Sequence, residues 1–205
     1  MSRSGEIQQR LVRSIEDSIA AKERLLNQPD TLATIECVSE LLIRAMQAGN
    51  KLLLFGNGGS AADAQHIAAE FIGRFALDRP ALPALALSVN TSCITAIGND
   101  YGFDVVFARQ IQALGRVGDV AIGISTSGNS PNVCLGLSAA REMGLHTVAF
   151  AGQSGGKVKG LADYCICAPS DETPRIQECH ILFGHVISEV VEQALFHEQS
   201  CLSRS

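Results

Sequence analysis

No stretch of this chain approaches the ~20 consecutive apolar residues of a membrane span, and the polar N-terminus Met-Ser-Arg-Ser-Gly-Glu-Ile-Gln-Gln lacks the apolar core of a signal peptide. A basic field is missing too. The formal net charge is −5, which argues against non-specific nucleic-acid binding. None of the seven cysteines forms a CxxC pair. Dispersed cysteines in odd number and mostly apolar context read as reduced thiols of a cytoplasmic protein. Repeats and low-complexity linkers are likewise absent. What remains is a globular composition, 46% hydrophobic and 18% charged, in 205 residues, enough for one domain with a sizeable core. The expectation is a single domain over 1–205, with a helical segment at 1–48 and an α/β core at 51–197, binding neither nucleic acid nor membrane.

Helical periodicity marks residues 5–27 and 31–48. The first has a narrow apolar face (Ile7, Leu11, Ile15, Ile19) that suits either a partner subunit or the chain's own domain. The second carries the stripe Leu32, Ile35, Val38, Leu41, Leu42, Ala45, Met46, closed by Gly49. Beyond it, strand-like apolar runs at Leu52–Phe55, Ala84–Ser88, Val120–Ile124, Thr147–Ala151 and Tyr164–Ala168 alternate with helical stretches at 60–76, 91–98 with 103–114, 130–143, 156–161 and 174–197. Continuous apolar strands between helices imply a five-stranded parallel sheet covered on both faces. Ligands of such sheets bind at the carboxyl ends of strands, where strand order reverses. Cys165 and Cys167 alternate within the last strand and so share a face.

The segment Gly56-Asn-Gly58-Gly-Ser60 follows the first strand and opens an Ala-rich helix. Strand, glycine turn and helix N-terminus together make an anion site. No lysine follows Gly59, so this is not a P-loop, and no carboxylate closes the second strand as a dinucleotide site expects. His66 and Glu70 stand at i and i+4 on one face of that helix. A second polar loop, Gly123-Ile-Ser125-Thr126-Ser127-Gly128-Asn129-Ser130-Pro131, follows the third strand, with Ser130 at the N-cap and Pro131 at the first helical position. Four hydroxyls in six residues exceed what capping needs and can coordinate a phosphate through dipoles. The last helix opens with Arg175-Ile-Gln177-Glu178-Cys179-His180 and continues to His185. A lone histidine on an apolar helix is more often a satisfied core residue, which describes His180.

These motifs, together with Gly98-Asn99-Asp100-Tyr-Gly-Phe103, resemble the phosphoheptose isomerases, members of the sugar isomerase (SIS) fold with a flavodoxin-like sheet. The resemblance covers almost the whole chain in the same order. It implies a homotetramer, packed through the N-terminal helices, that interconverts sedoheptulose 7-phosphate and D-glycero-D-manno-heptose 7-phosphate. That reaction is the first step toward nucleotide-activated heptose, as in lipopolysaccharide core. It also implies Glu70 and His185 as catalytic residues, and His66, Glu70, Gln177 and His185 as ligands of one zinc ion per subunit. Substrate and phosphate contacts fall on Asn57, Gly58, Ser60, Asn99, Asp100, Ser125, Thr126, Ser127, Ser130 and Gln177. Pro174 stands where some relatives carry an acidic residue. The competing reading within the fold is a non-enzymatic tetramer that binds a replication initiator protein; that relative lacks the histidine present here as His185. Eight helical residues separate Gln177 from His185 by about 12 Å, so a site gathering both with His66 and Glu70 is expected to draw on two subunits.

Overall fold

The computed structural model describes residues 3–202, with side chains over residues 4–197. The run Leu52–Gly56 is β1 and is wholly buried, as befits a central parallel strand covered on both faces. Around it lie β2 (Ala84–Ala86), β3 (Val120–Ser125), β4 (His146–Ala151) and β5 (Tyr164–Cys167), all parallel, in the order β2-β1-β3-β4-β5. The helices are α1 (Arg3–Leu26), α2 (Pro29–Gln47), α3 (Gly59–Ile72), α4 (Thr91–Tyr101), α5 (Val106–Leu114), α6 (Pro131–Glu142), α7 (Val158–Leu161) and α8 (Thr173–Leu202), with a 3-10 turn at Phe103–Val105 before α5. No helix among the described residues is long and apolar enough to cross a membrane.

Alternation along the strands divides the core in two. Leu54, Ile122 and Phe150 meet Leu42, Phe71 and Phe183 from the α1–α2–α3–α8 side. Leu53, Phe55 and Ala149 meet Phe107, Ile111 and Leu137 from the α5–α6 side. The α/β sheet with helices on both faces is therefore as expected. α1 belongs to its own domain at one end, where Ala21 and Leu25 are buried and Arg24 Nε donates to Pro169 O (3.0 Å). Toward its start, Ile7, Leu11, Ile15 and Ile19 are each more than half exposed.

Two boundaries differ from the sequence reading. β2 is three residues rather than five: its ladder with β1 runs from Leu52 to Leu54, and the Leu87 N–H to Leu54 O bond (2.8 Å) closes it. α3 stops at Ile72 instead of residue 76. The N–H groups of Phe75, Ala76 and Leu77 leave the helical ladder for the carboxylate of Glu192 on α8.

The chain leaves β1 for β2 on one side, then returns to β3 on the other. Strand order thus reverses between β1 and β3, and the crevice at their carboxyl ends is the place this topology provides for a ligand.

Candidate active site

Both polar loops reach that crevice. Asn57, after β1, and Asn132, at the start of α6, exchange two amide hydrogen bonds of 2.8 and 3.0 Å and fix the two loops against each other. Ser60 and Ser125 are buried. Ser130 is the N-cap of α6 but makes no capping bond; its Oγ lies 3.0 Å from Ser125 Oγ. Gly58, which precedes α3 at φ +54, has no side chain to cap with. The leading N–H groups of α3 and α6 are thus left without side-chain caps, and two helix dipoles converge on a crevice lined with hydroxyls. Thr126 is half-buried, and exposed Ser127 accepts the Asn129 N–H (3.1 Å). Asn129 Oδ1 accepts the Lys157 N–H (3.1 Å), which braces this loop from the far side.

α8 runs beside α3 in the same direction. Contact is close because Gly184 has no Cβ; one would collide with Ile67. That proximity brings His185 of α8 to His66 of α3, with their Nε2 atoms 2.9 Å apart. Glu70 Oε1 is 3.2 Å from His66 Nε2, one turn along. Candidate ligand atoms of His66, Glu70 and His185 all lie within 4.8 Å of one another, and the three side chains are exposed or half-buried. Two imidazoles and a carboxylate are a donor set that suits zinc and leaves a coordination position open.

Behind the cluster a buried ion pair ties down the segment after α3. Glu192 accepts N–H groups of Phe75 (2.8 Å), Ala76 (2.7 Å) and Leu77 (2.8 Å) as well as Arg79 Nε (2.9 Å). Burial pushes the Glu192 carboxyl up, but these four donors outweigh it and hold its pKa below the ordinary value. Arg79 in turn donates to the carbonyls of Glu70 (2.8 Å) and Phe71 (2.7 Å). The segment so anchored lays Phe75 on His185, with ring centroids 5.9 Å apart.

The family model described as the SIS domain matches residues 15–152. A phosphoheptose isomerase of Clostridium acetobutylicum is 51% identical over 185 residues, covering 90% of this chain and 94% of that protein. One from Aquifex aeolicus is 59% identical over 156 residues, 76% of this chain and 82% of its own length. The solved structure of the phosphoheptose isomerase from Neisseria gonorrhoeae superposes with a TM-score of 0.86 at 43% identity, over 91% of this chain and 99% of that one. The chain belongs to the phosphoheptose isomerases. It is therefore an enzyme of the aldose–ketose isomerase class, and nothing favours the initiator-binding alternative.

Within this family frame, one sequence expectation needs correction. His185 reaches His66 and Glu70 inside a single chain, so those three residues need no second subunit. Gln177 lies against Gly59 at the head of α3, where an added Cβ would collide with its amide. The parallel run of α3 and α8 explains both: Gln177 meets Gly59 and, two turns on, His185 meets His66. Gln177 thus stands beside the hydroxyl-lined crevice, at the head of the helix that carries His66 and Glu70. Asn99 and Asp100 lie exposed on α4 and bond to each other (2.8 Å), with no crevice residue as partner among the described side chains.

His180 is the core histidine anticipated, buried with Nε2 3.1 Å from Ala151 O. Burial lowers its pKa to about 4, against the opposing hydrogen bond to Ala151. Asn132, Phe75, Arg79 and Glu192 escaped the sequence reading. Asp63 did as well. Burial raises its carboxyl to about 6, against the opposing charge of His66, and its Oδ2 is buried without a hydrogen-bond partner. Only Asn132 had a visible signal, as a second polar residue after the Pro131 helix start.

Proposed function

We propose that this isomerase interconverts sedoheptulose 7-phosphate and D-glycero-D-manno-heptose 7-phosphate, with the phosphate in the crevice between β1 and β3 and the carbonyl end at the His66–Glu70–His185 cluster. The observation that carries the reading is the spacing along α3. Seven helical residues separate Gly59, at the phosphate end, from His66, about 10 Å, which suits a sugar extended between an anion at one terminus and a carbonyl at the other.

Ser60, Ser125, Thr126, Ser127 and Ser130 supply hydroxyls to the phosphate, joined by the uncapped N–H groups of α3 and α6. Asn57 and Gly58 shape the turn that presents them. Gln177, at Gly59, is placed to bond sugar hydroxyls between the two ends. Glu70 takes the proton from C1 of the ketose while His185 gives one to the C2 oxygen, leaving an enediol. Return of a proton to C2 and loss of one from the C1 oxygen complete the aldose. His185 suits both directions because an imidazole can donate a proton through one ring nitrogen and accept one at the other. Zinc, one ion per subunit held by His66, Glu70 and His185, would supply Lewis-acid polarisation of the carbonyl. Gln177, the fourth ligand that the family resemblance implies, stands at Gly59 on the crevice side of these three donors.

The same reading includes a homotetramer in the cytoplasm, feeding nucleotide-activated heptose for polymers such as lipopolysaccharide core. The exposed apolar face of α1 supports the association. The deciding experiment incubates purified protein with sedoheptulose 7-phosphate and follows aldose formation, before and after chelation, beside metal analysis and sedimentation of the same sample. Absence of aldose under every metal condition would overturn the assignment.

A further inference from the structure

On the opposite face of the sheet from α3 and α8, Cys165 and Cys167 occupy alternate positions of β5, the edge strand. Tyr164 and Ile166 turn to the α2–α8 side, whereas Cys165 packs with Leu161 and Ala162 against the α5–α6 core. Both thiols are half-buried and their Sγ atoms lie 3.7 Å apart. Two sulfurs bound tetrahedrally to one ion at zinc–sulfur distances stand about 3.8 Å apart. The pair is therefore already set at the edge of a metal tetrahedron, with no rearrangement of the strand.

We propose that Cys165 and Cys167 form a two-sulfur site for a soft divalent cation of the Zn2+ and Cd2+ class, separate from the imidazole–carboxylate cluster.

Electrostatics favour the same chemistry. The hydrogen bond between the sulfurs raises the Cys165 thiol and lowers Cys167 to about 7; burial opposes the lowering and Lys159 assists it. An arriving M2+ binds both sulfurs and releases to solvent the thiol protons they carry, and the product, two thiolates around a divalent ion, is neutral. Lys159 then faces no net positive charge. Among the described residues no third histidine, cysteine or carboxylate joins the two sulfurs. Water fills the remaining positions, so the ion exchanges readily. Soft thiolates select such ions over Mg2+ or Ca2+.

The test is a Cd2+ titration of the reduced full-length protein, read by ultraviolet thiolate-to-cadmium charge transfer. The His66–Glu70–His185 cluster has no sulfur and is silent in that band. The expected result is a band saturating at one ion per chain, abolished by Cys165→Ser and by Cys167→Ser, and kept by Cys134→Ser and His66→Ala. One equivalent of Cd2+ should also protect Cys165 and Cys167 of the parent protein from iodoacetamide, as mapped by peptide mass spectrometry. That second measurement decides the matter should a serine variant not fold. A parent protein with neither band nor protection, or a band that survives in the Cys165→Ser/Cys167→Ser double variant, overturns the proposal.

Discussion

Replacing Glu192 by alanine should unfold this protein more readily than any single change at the candidate active site. The Glu192 and Arg79 side chains are 1% and 2% exposed, so the substitution leaves a buried guanidinium without its counter-ion. Breaking such a pair by removing one partner costs about 3–5 kcal/mol. Three backbone N–H groups lose their acceptor as well, but their segment lies near the surface and can turn them to water. We therefore set the expected loss at about 4 kcal/mol, measured by urea unfolding at neutral pH. The double variant Glu192→Ala/Arg79→Met removes the stranded charge and should recover at least about 1 kcal/mol of that loss. At a temperature where Glu192→Ala is folded, turnover should still fall about tenfold, because Arg79 no longer fixes the end of α3 and Phe75 no longer backs His185. A loss below about 1 kcal/mol, or a double variant weaker than the single one, would refute the reasoning.

Glu70→Gln and His185→Ala should each lower kcat by at least about 100-fold with an unchanged circular dichroism spectrum. Mixed oligomers of Glu70→Ala and His185→Ala chains should stay inactive, since both residues serve one site from one chain; recovery of about a quarter of the activity would place them on different subunits. Alanine at Ser60, Ser125 or Ser127 should raise KM more than it lowers kcat, and sulfate should compete with substrate; three variants with parental KM would remove the hydroxyls from phosphate binding. His180 has a folded pKa of about 4 against 6.5 for a free imidazole, so the unfolded chain takes the proton first as pH falls. Its contribution is complete above the free value and is lost as pH falls toward the folded one, about 2 kcal/mol by pH 5. His180→Phe should remove that part of the difference in urea stability between pH 7 and pH 5. Asp63, raised by burial, opposes it equally in parent and variant, so the comparison of the two proteins is the measurement; equal slopes would refute it.

The central strands were legible because a parallel sheet buries whole runs. Leu52–Phe55 and Val120–Ile124 have no polar face to mislead. Both polar loops were legible for a related reason: glycines and hydroxyls directly after an apolar strand mark a sharp turn into a helix start. The end of α3 was not legible, since the group that stops it, Glu192, lies 115 or more residues away in sequence. Asn132 was hidden in the same way, paired with Asn57 across 75 residues. The expectation that Gln177 or His185 reaches His66 and Glu70 from a second subunit failed on geometry. It assumed that Gln177 and His185 must converge on one point, whereas a neighbouring parallel helix gives each its own counterpart, Gly59 and His66. A pattern of spacings on one helix says nothing about what lies alongside.

His66 and His185 meet across 119 residues, and the second of them is on the last element of the fold. On the ribosome, β1, α3 and the hydroxyl loop after β3 emerge well before α8. A nascent chain can therefore assemble the crevice before the α8 member of the His66–Glu70–His185 cluster has been made. During that interval Ile67 and Phe71 of α3, and Phe150 of β4, lack the partners that cover them in the finished protein. Loss of α8 through a premature stop would remove catalysis and leave one face of the sheet open, so such fragments should aggregate or be degraded rather than persist as inactive binders. The enzyme's chemistry and its solubility are completed by the same final helix.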